Sequence, residues 1–309
     1  MQLINRLKGK RRSIDDLIFD TINVIVMILL VIVMLYPLLN TVAISLNAST
    51  DTIRGGIRLL PRVFTWYNYE HVFTEATIMR SALTSVLRTV IGTGLGVLAS
   101  AMVAYTISRP HFFLKKFITI AFVLTMYMNA GLIPTYLLHR DLNLIGSFWV
   151  YILPTLIGVF NIIVIRSFIE GLPETLFESA RMDGAGEFTQ FFRIALPLSL
   201  PVIATVSLFV AVGQWNQWFD VFIYNSSIPE LSTLQYELMK VLSNSNAAFN
   251  SGGGAASQFA NSQGGTVDVV TPQSVRAAMT VVVSVPIIMV YPFLQKYFVK
   301  GLTIGGVKG

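Results

Sequence analysis

Long apolar runs separated by short polar islands set the pattern of this chain. Cut at charged residues and at Pro and Gly clusters, the runs resolve into six stretches, about 20–46, 81–108, 115–138, 145–168, 198–224 and 275–298. Each comes close to or exceeds the roughly 20 residues a helix needs to cross a hydrocarbon core. No water is present there to satisfy backbone N–H and C=O groups, so helix is the state predicted for all six. The expectation is an all-α membrane protein with six transmembrane helices, a single domain over residues 1–309. Gly92, Gly94, Gly96, Ser100 and Ala104 in the second stretch would weaken a soluble helix, yet small residues let membrane helices approach closely.

Composition agrees with that reading. Of 309 residues, 54% are hydrophobic and only 12% charged, with mean hydropathy +0.66, well outside the range of soluble domains. The net charge of +6 could indicate nucleic acid, but most basic residues flank apolar runs, so they read as topology signals and nucleic acid is not expected as a partner. Arg6, Lys8, Lys10, Arg11 and Arg12 precede the first run, which is too long for a secretory signal and reads as a retained first span. An inside start places Arg109, Lys115, Lys116, Arg166, Arg181, Arg193, Lys296, Lys300 and Lys308 on the cytoplasmic side with both termini. Arg54, Arg58, Arg62, Arg80, Arg140, Lys240 and Arg276 fall outside, although the two longest loops lie there, in agreement with the positive-inside rule. There is no cysteine, hence no disulfide, thiolate nucleophile or Cys-ligated metal.

Two external segments differ in character. The first, 47–80, holds Pro61, Phe64, Trp66, Tyr67, Tyr69 and Phe73 and is expected to fold on the membrane surface. The second, 225–274, contains a tract from Ser243 to Thr266 rich in Asn, Ser, Gly, Ala and Gln. Such a composition cannot bury enough apolar surface to fix one conformation alone. It reads either as a flexible loop or as a loop that orders on an external partner.

The polar island 171–197 holds the most specific pattern. Pro173 suits the start of a helix, Glu174 and Glu178 lie toward its positive end and Arg181 toward its negative end, and Asp183-Gly184 closes it. A second amphipathic segment with Phe188, Phe191, Phe192 and Ile194 runs to Leu196-Pro197. Glu178-Ser179-Ala180, Gly184 six residues after the Glu, and Ile194-x-Leu196-Pro197 resemble the EAA loop of binding-protein-dependent ABC importer permeases, with Ser179 in place of an Ala. The resemblance implies the type I importer permease fold and a cytoplasmic coupling loop in which Glu178, Ser179, Ala180, Asp183, Gly184, Ala185, Ile194, Leu196 and Pro197 dock on a separate ATPase. A plain interfacial helix joining two spans is the alternative for the residues taken alone. No Gly-x4-Gly-Lys-Ser/Thr occurs in the chain, so ATP and magnesium are expected on the partner ATPase and no cofactor or metal on this chain.

The similarity extends further. Gly131-Leu132-Ile133-Pro134-Thr135-Tyr136, Trp215-Asn216-Gln217-Trp218-Phe219 and the tail Lys300–Gly309 resemble the second permease subunit of oligosaccharide importers, the group of the maltose permease, and its branch for complex polysaccharide fragments such as aldouronates. Implied partners are a second homologous permease, an ATPase dimer, an extracytoplasmic solute-binding protein, an oligosaccharide cargo and membrane lipid, in a bacterial plasma (inner) membrane; the tail is implied to reach the ATPase.

Gln214, Trp215, Asn216, Gln217, Trp218 and Asp220 crowd the outer part of the fifth stretch. Amides and indoles suit sugar hydroxyls and pyranose C–H faces, but the same groups serve as an interfacial aromatic belt and as bridges between helices. On a continuous helix Gln214, Gln217 and Trp218 share one face and Asn216 and Asp220 another. Asn129 and Asn161 join them as candidates for the cargo path, with helix packing as the alternative. Arg88, inside the second stretch, is expected to face protein, water or headgroups. An intramembrane enzyme is disfavoured, since His71, His111 and His139 are scattered and neither His-Glu-x-x-His nor Gly-x-Ser-x-Gly occurs. A secondary active transporter of a small polar solute, or an importer of a non-sugar cargo, are the other readings.

Overall fold

The computed structural model describes residues 14–128, 130–250 and 270–305. The basic stretch 6–12, Asn129, most of the tract 243–266 and the tail end 306–309 lie outside the described residues. The helices of six residues or more are α1 Ile14–Ser45, α2 Tyr67–Thr74, α3 Ala76–Ser108, α4 Lys115–Tyr127, α5 Leu132–Asp141, α6 Val159–Ile169, α7 Glu174–Met182, α8 Leu200–Asn216, α9 Phe219–Tyr224, α10 Leu234–Asn250 and α11 Pro272–Gly305. No strand forms among the described residues; an isolated bridge joins Asn47 and Phe64. The helices α1 and α3 and the segment Pro272–Val290 of α11 are each long and apolar enough to cross a membrane, and bent pairs raise the number of spans to as many as six. The chain is a multi-pass membrane protein of helices. Two compact units are distinguished, residues 1–71 with 256–281 and residues 72–255 with 282–309.

In the first unit, α1 exposes apolar side chains along its length, including Leu17, Ile28 and Leu38, as a lipid-bathed helix does. The segment after it is pinned by two buried amides. Asn47 accepts from the N–H groups of Arg62 (2.8 Å) and Val63 (2.9 Å) and donates to Asp51 Oδ2 and Thr52 Oγ1, both at 3.1 Å. Asn68 donates to the Ser45 and Asn47 carbonyls at 2.9 and 3.0 Å. Buried polar groups satisfied this fully hold a loop in one conformation. The Asn47 amide, helped by Arg62, keeps the Asp51 carboxyl below its usual range despite the opposing effect of burial. The rings of Phe64, Trp66 and Tyr69 meet edge to face or tilted above this frame.

The second unit is organised by α3, which packs along α6 and α8. Its small residues allow this: Gly92, Gly96, Ser100, Ala101 and Ala104 are all buried. Opposite them lie Ile162 and Ile165 of α6 and Val202 and Val206 of α8, which complete the core.

The uninterrupted helices expected over 115–138, 145–168 and 198–224 are each interrupted. Between α4 and α5 the chain turns near Gly131, whose φ is +85°, a conformation that ends a helix. Residues 145–168 form two 3₁₀ turns, Phe148–Tyr151 and Leu153–Thr155, then a 48° bend into α6; Pro154 supplies no N–H there. The run Glu187–Leu198 meets α8 at 81°, with Pro197 and Pro201 flanking the Ser199 turn. A further break at Gln217 and Trp218 separates α8 from α9. The segment 225–274, expected as a flexible external loop, holds a helix in its first part: α10 runs to Asn250, with Leu234, Tyr236, Glu237 and Leu238 buried.

Candidate functional site

Two constellations stand out in the second unit. The first is the polar island after α6. Its first arm, α7, begins immediately after Pro173. Phe177 is the buried side chain of α7, 6.3 Å from the Tyr105 ring by centroids and 4.0 Å beneath the Arg109 guanidinium. The same guanidinium stands 4.7 Å over Tyr105 and 3.5 Å from Glu174 Oε2, while Arg181 donates to Glu174 Oε1 at 2.7 Å. These contacts tie the arm to the end of α3.

At the bend, Gly184 has φ +80°. Its N–H donates to Arg181 O (3.0 Å) and that of Ala185 to Ala180 O (2.9 Å), the paired bonds of a Schellman close. A side chain at 184 would be strained there. The second arm, Glu187–Gln190, continues as a π-turn over Phe191–Ala195. It is tied back by Tyr105, whose hydroxyl donates to Glu187 Oε2 at 2.8 Å, and by Gln190, which donates to Ala185 O at 2.8 Å. Phe191 is buried 5.5 Å from Tyr105. At the neighbouring end of α6, burial favours the neutral Glu170 carboxyl, but hydrogen bonds from Lys115 (2.8 Å) and Arg166 (3.0 Å) outweigh it and hold the group below its usual range.

Of the nine residues singled out here, Glu178, Ser179, Asp183, Gly184 and Pro197 are exposed, and Ala180, Ala185, Ile194 and Leu196 are half-buried. Ile194 and Leu196 pack on the core. The knob therefore has a stiff interior and an outer face with a free-standing carboxylate region. Sequence reasoning missed Met182, 89% exposed, which with Phe188, 72% exposed, flanks the bend. A methionine beside Asp-Gly at the tip of a polar loop was the available signal.

The second constellation centres on Arg88, 1% exposed. A lipid-facing guanidinium mid-span costs about 2.5–3.5 kcal/mol on insertion scales; here it is paired. Arg88 donates from Nε to Gln214 Oε1 (2.9 Å), from Nη1 to the Gln217 carbonyl (3.2 Å) and to Asp220 Oδ1 (3.0 Å), and from Nη2 to Asp220 Oδ2. Its guanidinium lies 4.7 Å from the centre of the Tyr151 ring. Gln214 also donates to Thr155 Oγ1 at 3.0 Å, and it has room because a Cβ on Gly92 would stand 3.0 Å from it. Asn225 donates to the Tyr151 hydroxyl (2.8 Å), which donates in turn to Leu231 O (2.8 Å).

This corrects the face assignment made for a continuous helix. Because the helix stops at Asn216, Gln214 and Asp220 converge on one guanidinium, and their polar atoms serve the chain itself. Trp215 is likewise buried, its indole N–H donating to Val283 O at 3.0 Å. Asn216 and Gln217 are exposed and Trp218 half-buried. Asn161 is half-buried in the first turn of α6, and Asn129 lies outside the described residues. A cavity of about 140 Å³ lined by Val86, Leu208, Trp215, Pro286 and Val290 among others is apolar and offers a sugar hydroxyl little to bond. Among the described residues no group of three or more His, Cys, Asp or Glu could hold a metal.

Comparison with known proteins identifies the family of the chain. Residues 92–304 match the family described as binding-protein-dependent transport system inner membrane component. The chain is 34% identical over 302 residues to the polygalacturonan/rhamnogalacturonan transport system permease protein YtcP of Bacillus subtilis, covering 97% of this chain and 100% of the relative. It is 35% identical to protein LplC of the same organism, covering 94% and 95%, and 29% identical to the arabinooligosaccharides transport system permease protein AraQ of Halalkalibacterium halodurans, covering 89% and 91%. A solved structure of a bacterial ABC transporter involved in the import of the acidic polysaccharide alginate superposes with TM-score 0.83 at 27% identity, covering 94% of this chain and all of that one.

Proposed function

Since the chain belongs to the family of binding-protein-dependent transport system inner membrane components, and is a permease subunit of an ABC importer, we propose that it forms half of the path for a carbohydrate oligomer. Fragments of uronate-containing polysaccharides are the first class to test, the relatives named for polygalacturonan and alginate being the reason. The other half of the path comes from a second homologous permease, and cargo arrives on an extracytoplasmic binding protein. ATP and magnesium are held by a partner ATPase dimer, and both termini of this chain are cytoplasmic.

The observation that supports the reading is the knob at 174–198, fastened to α3 by Phe177, Arg109 and Tyr105. A floppy connector would absorb motion of an ATPase, whereas a packed element passes it to the helices it is fastened to. Glu178, Ser179, Ala180, Asp183, Gly184 and Ala185 form the proposed docking face, with Met182 and Phe188 adding apolar contact. Asn216, Gln217 and Trp218 are the proposed cargo-facing groups, while Gln214 and Asp220 hold the path in shape.

The test is purification of the tagged chain from its native membrane in mild detergent, with co-purifying proteins identified by mass spectrometry. An ATPase and a second permease are expected, with the ATPase lost in Glu178→Lys at unchanged membrane level. A solitary chain, under conditions that keep a known importer intact, would refute the reading. Uptake of oligogalacturonides through the recovered binding protein then tests the cargo.

A further inference from the structure

Arg88 joins the two helices into which the fifth stretch is cut, and the break between them, to the first 3₁₀ turn of the fourth. It reaches Gln214 in the last turn of α8, the carbonyl of Gln217 in the break, Asp220 at the start of α9 and the face of Tyr151 in the first 3₁₀ turn. A helix that stops leaves carbonyls without intrahelical donors, and within a membrane such groups must find partners in the protein. Arg88 supplies one to Gln217. Apolar side chains of similar volume would fill the same space without desolvating two charges. What the planar guanidinium adds is direction, because two parallel bonds to one carboxylate fix angle as well as distance.

The break it fixes is the only part of this cluster whose side chains reach the surface as amides. Asn216 and Gln217 are exposed, and an exposed amide on a membrane-spanning segment belongs against water or protein. We propose that Arg88 is a positioning residue of the cargo path, locking the break at Gln217 and Trp218 so that Asn216 and Gln217 present one orientation to the passing cargo. The proposal rests on the importer reading given above.

The chain contains no cysteine, so Gln217→Cys can hold a nitroxide label in an importer whose partners are cysteine-free, and the substitution keeps the backbone carbonyl that Arg88 binds. Spectra are read in the labelled chain and oligogalacturonide uptake in the chain that keeps Gln217, each compared with Arg88 intact, with Arg88→Lys, and with Arg88→Met combined with Asp220→Leu. The combination removes both charges together, leaving neither buried alone. Expected are an immobile label with Arg88 intact, a mobile component in the double variant, and a half-saturating cargo concentration raised about tenfold, the scale of one or two lost positioning bonds. Arg88→Lys, with the charge but without the fork, is expected to fall between. A label as immobile in the variants as with Arg88 intact, at unchanged half-saturation, would overturn the proposal. Should the double variant fail to assemble, Arg88→Lys decides by the same readings. Absence of any carbohydrate uptake with both Arg88 and Gln217 intact would instead count against the cargo reading, and the label spectra would still decide the positioning role.

Discussion

Replacing Phe177 by alanine removes the side chain that seats α7, and its effect can be worked out from the contacts. Truncating a fully buried Phe costs about 3–5 kcal/mol, and the cation–π contact with Arg109 adds about 0.5–2 kcal/mol. What remains is weak: the Glu174 pairs with Arg109 and Arg181 are partly exposed, and such pairs contribute about 0–1 kcal/mol each. Nor can α7 stand alone, since its nine residues fall short of the roughly 12–15 at which an isolated helix becomes even marginal. Even the truncation term alone at its lower bound, about 3 kcal/mol, moves the ratio of docked to undocked α7 by at least about a hundredfold. Hydrogen exchange on the purified importer reads this directly. Amides of α7 are expected to lose about a hundredfold in protection while those of α3, α6 and α8 keep theirs, and ATP-driven uptake in proteoliposomes falls at least about tenfold if transmission needs a seated knob. Phe177→Leu, which keeps most of the burial, gives a smaller loss of both. Full uptake with α7 frayed would refute the role assigned to stiffness, and unchanged α7 protection would refute the packing argument itself.

Two more outcomes follow from the same region. Gly184→Pro cannot take the φ of +80° and deletes the N–H that bonds Arg181 O, so uptake should vanish at normal membrane level by immunoblot; retained transport would remove the bend from the mechanism. For Glu170, whose carboxyl is held low in the folded protein, the stabilisation is complete above the ordinary carboxylate range and fades as pH falls through the lowered folded value. The melting-temperature gap between the natural chain and Glu170→Gln should therefore narrow on acidification, and a gap that widens would contradict the assigned ion pairs.

The knob was largely legible because its determinants are local: Pro173, the charges at the two ends of α7, and a glycine where a left-handed residue is required. The helix interruptions were legible only in part. Gly131, Pro154, Pro197 and Pro201 are visible punctuation, but nothing between Gln214 and Asp220 announces a break, and a periodicity argument presumes continuity. The pairing of Arg88 could have been found differently. It is the only charged residue in 81–108, and Asp220 the only one in 198–224, and a buried charge needs an opposite one. The helix α10 was hidden because its Leu234, Tyr236 and Leu238 were averaged with the Gly- and Ser-rich tract that follows.

The 81° turn at Ser199 gives the second arm of the knob the form of a bell crank. With two helical arms set nearly at right angles, a thrust along Glu187–Leu198 reaches α8 almost wholly as a sideways force at its near end. The 17 residues of α8 make a rod about 25 Å long, and its far end is the break at Gln217. On the proposed docking, a small axial displacement of that arm arrives at the far end of α8 as a swing, with its sense set by where along α3 the rod finds its fulcrum.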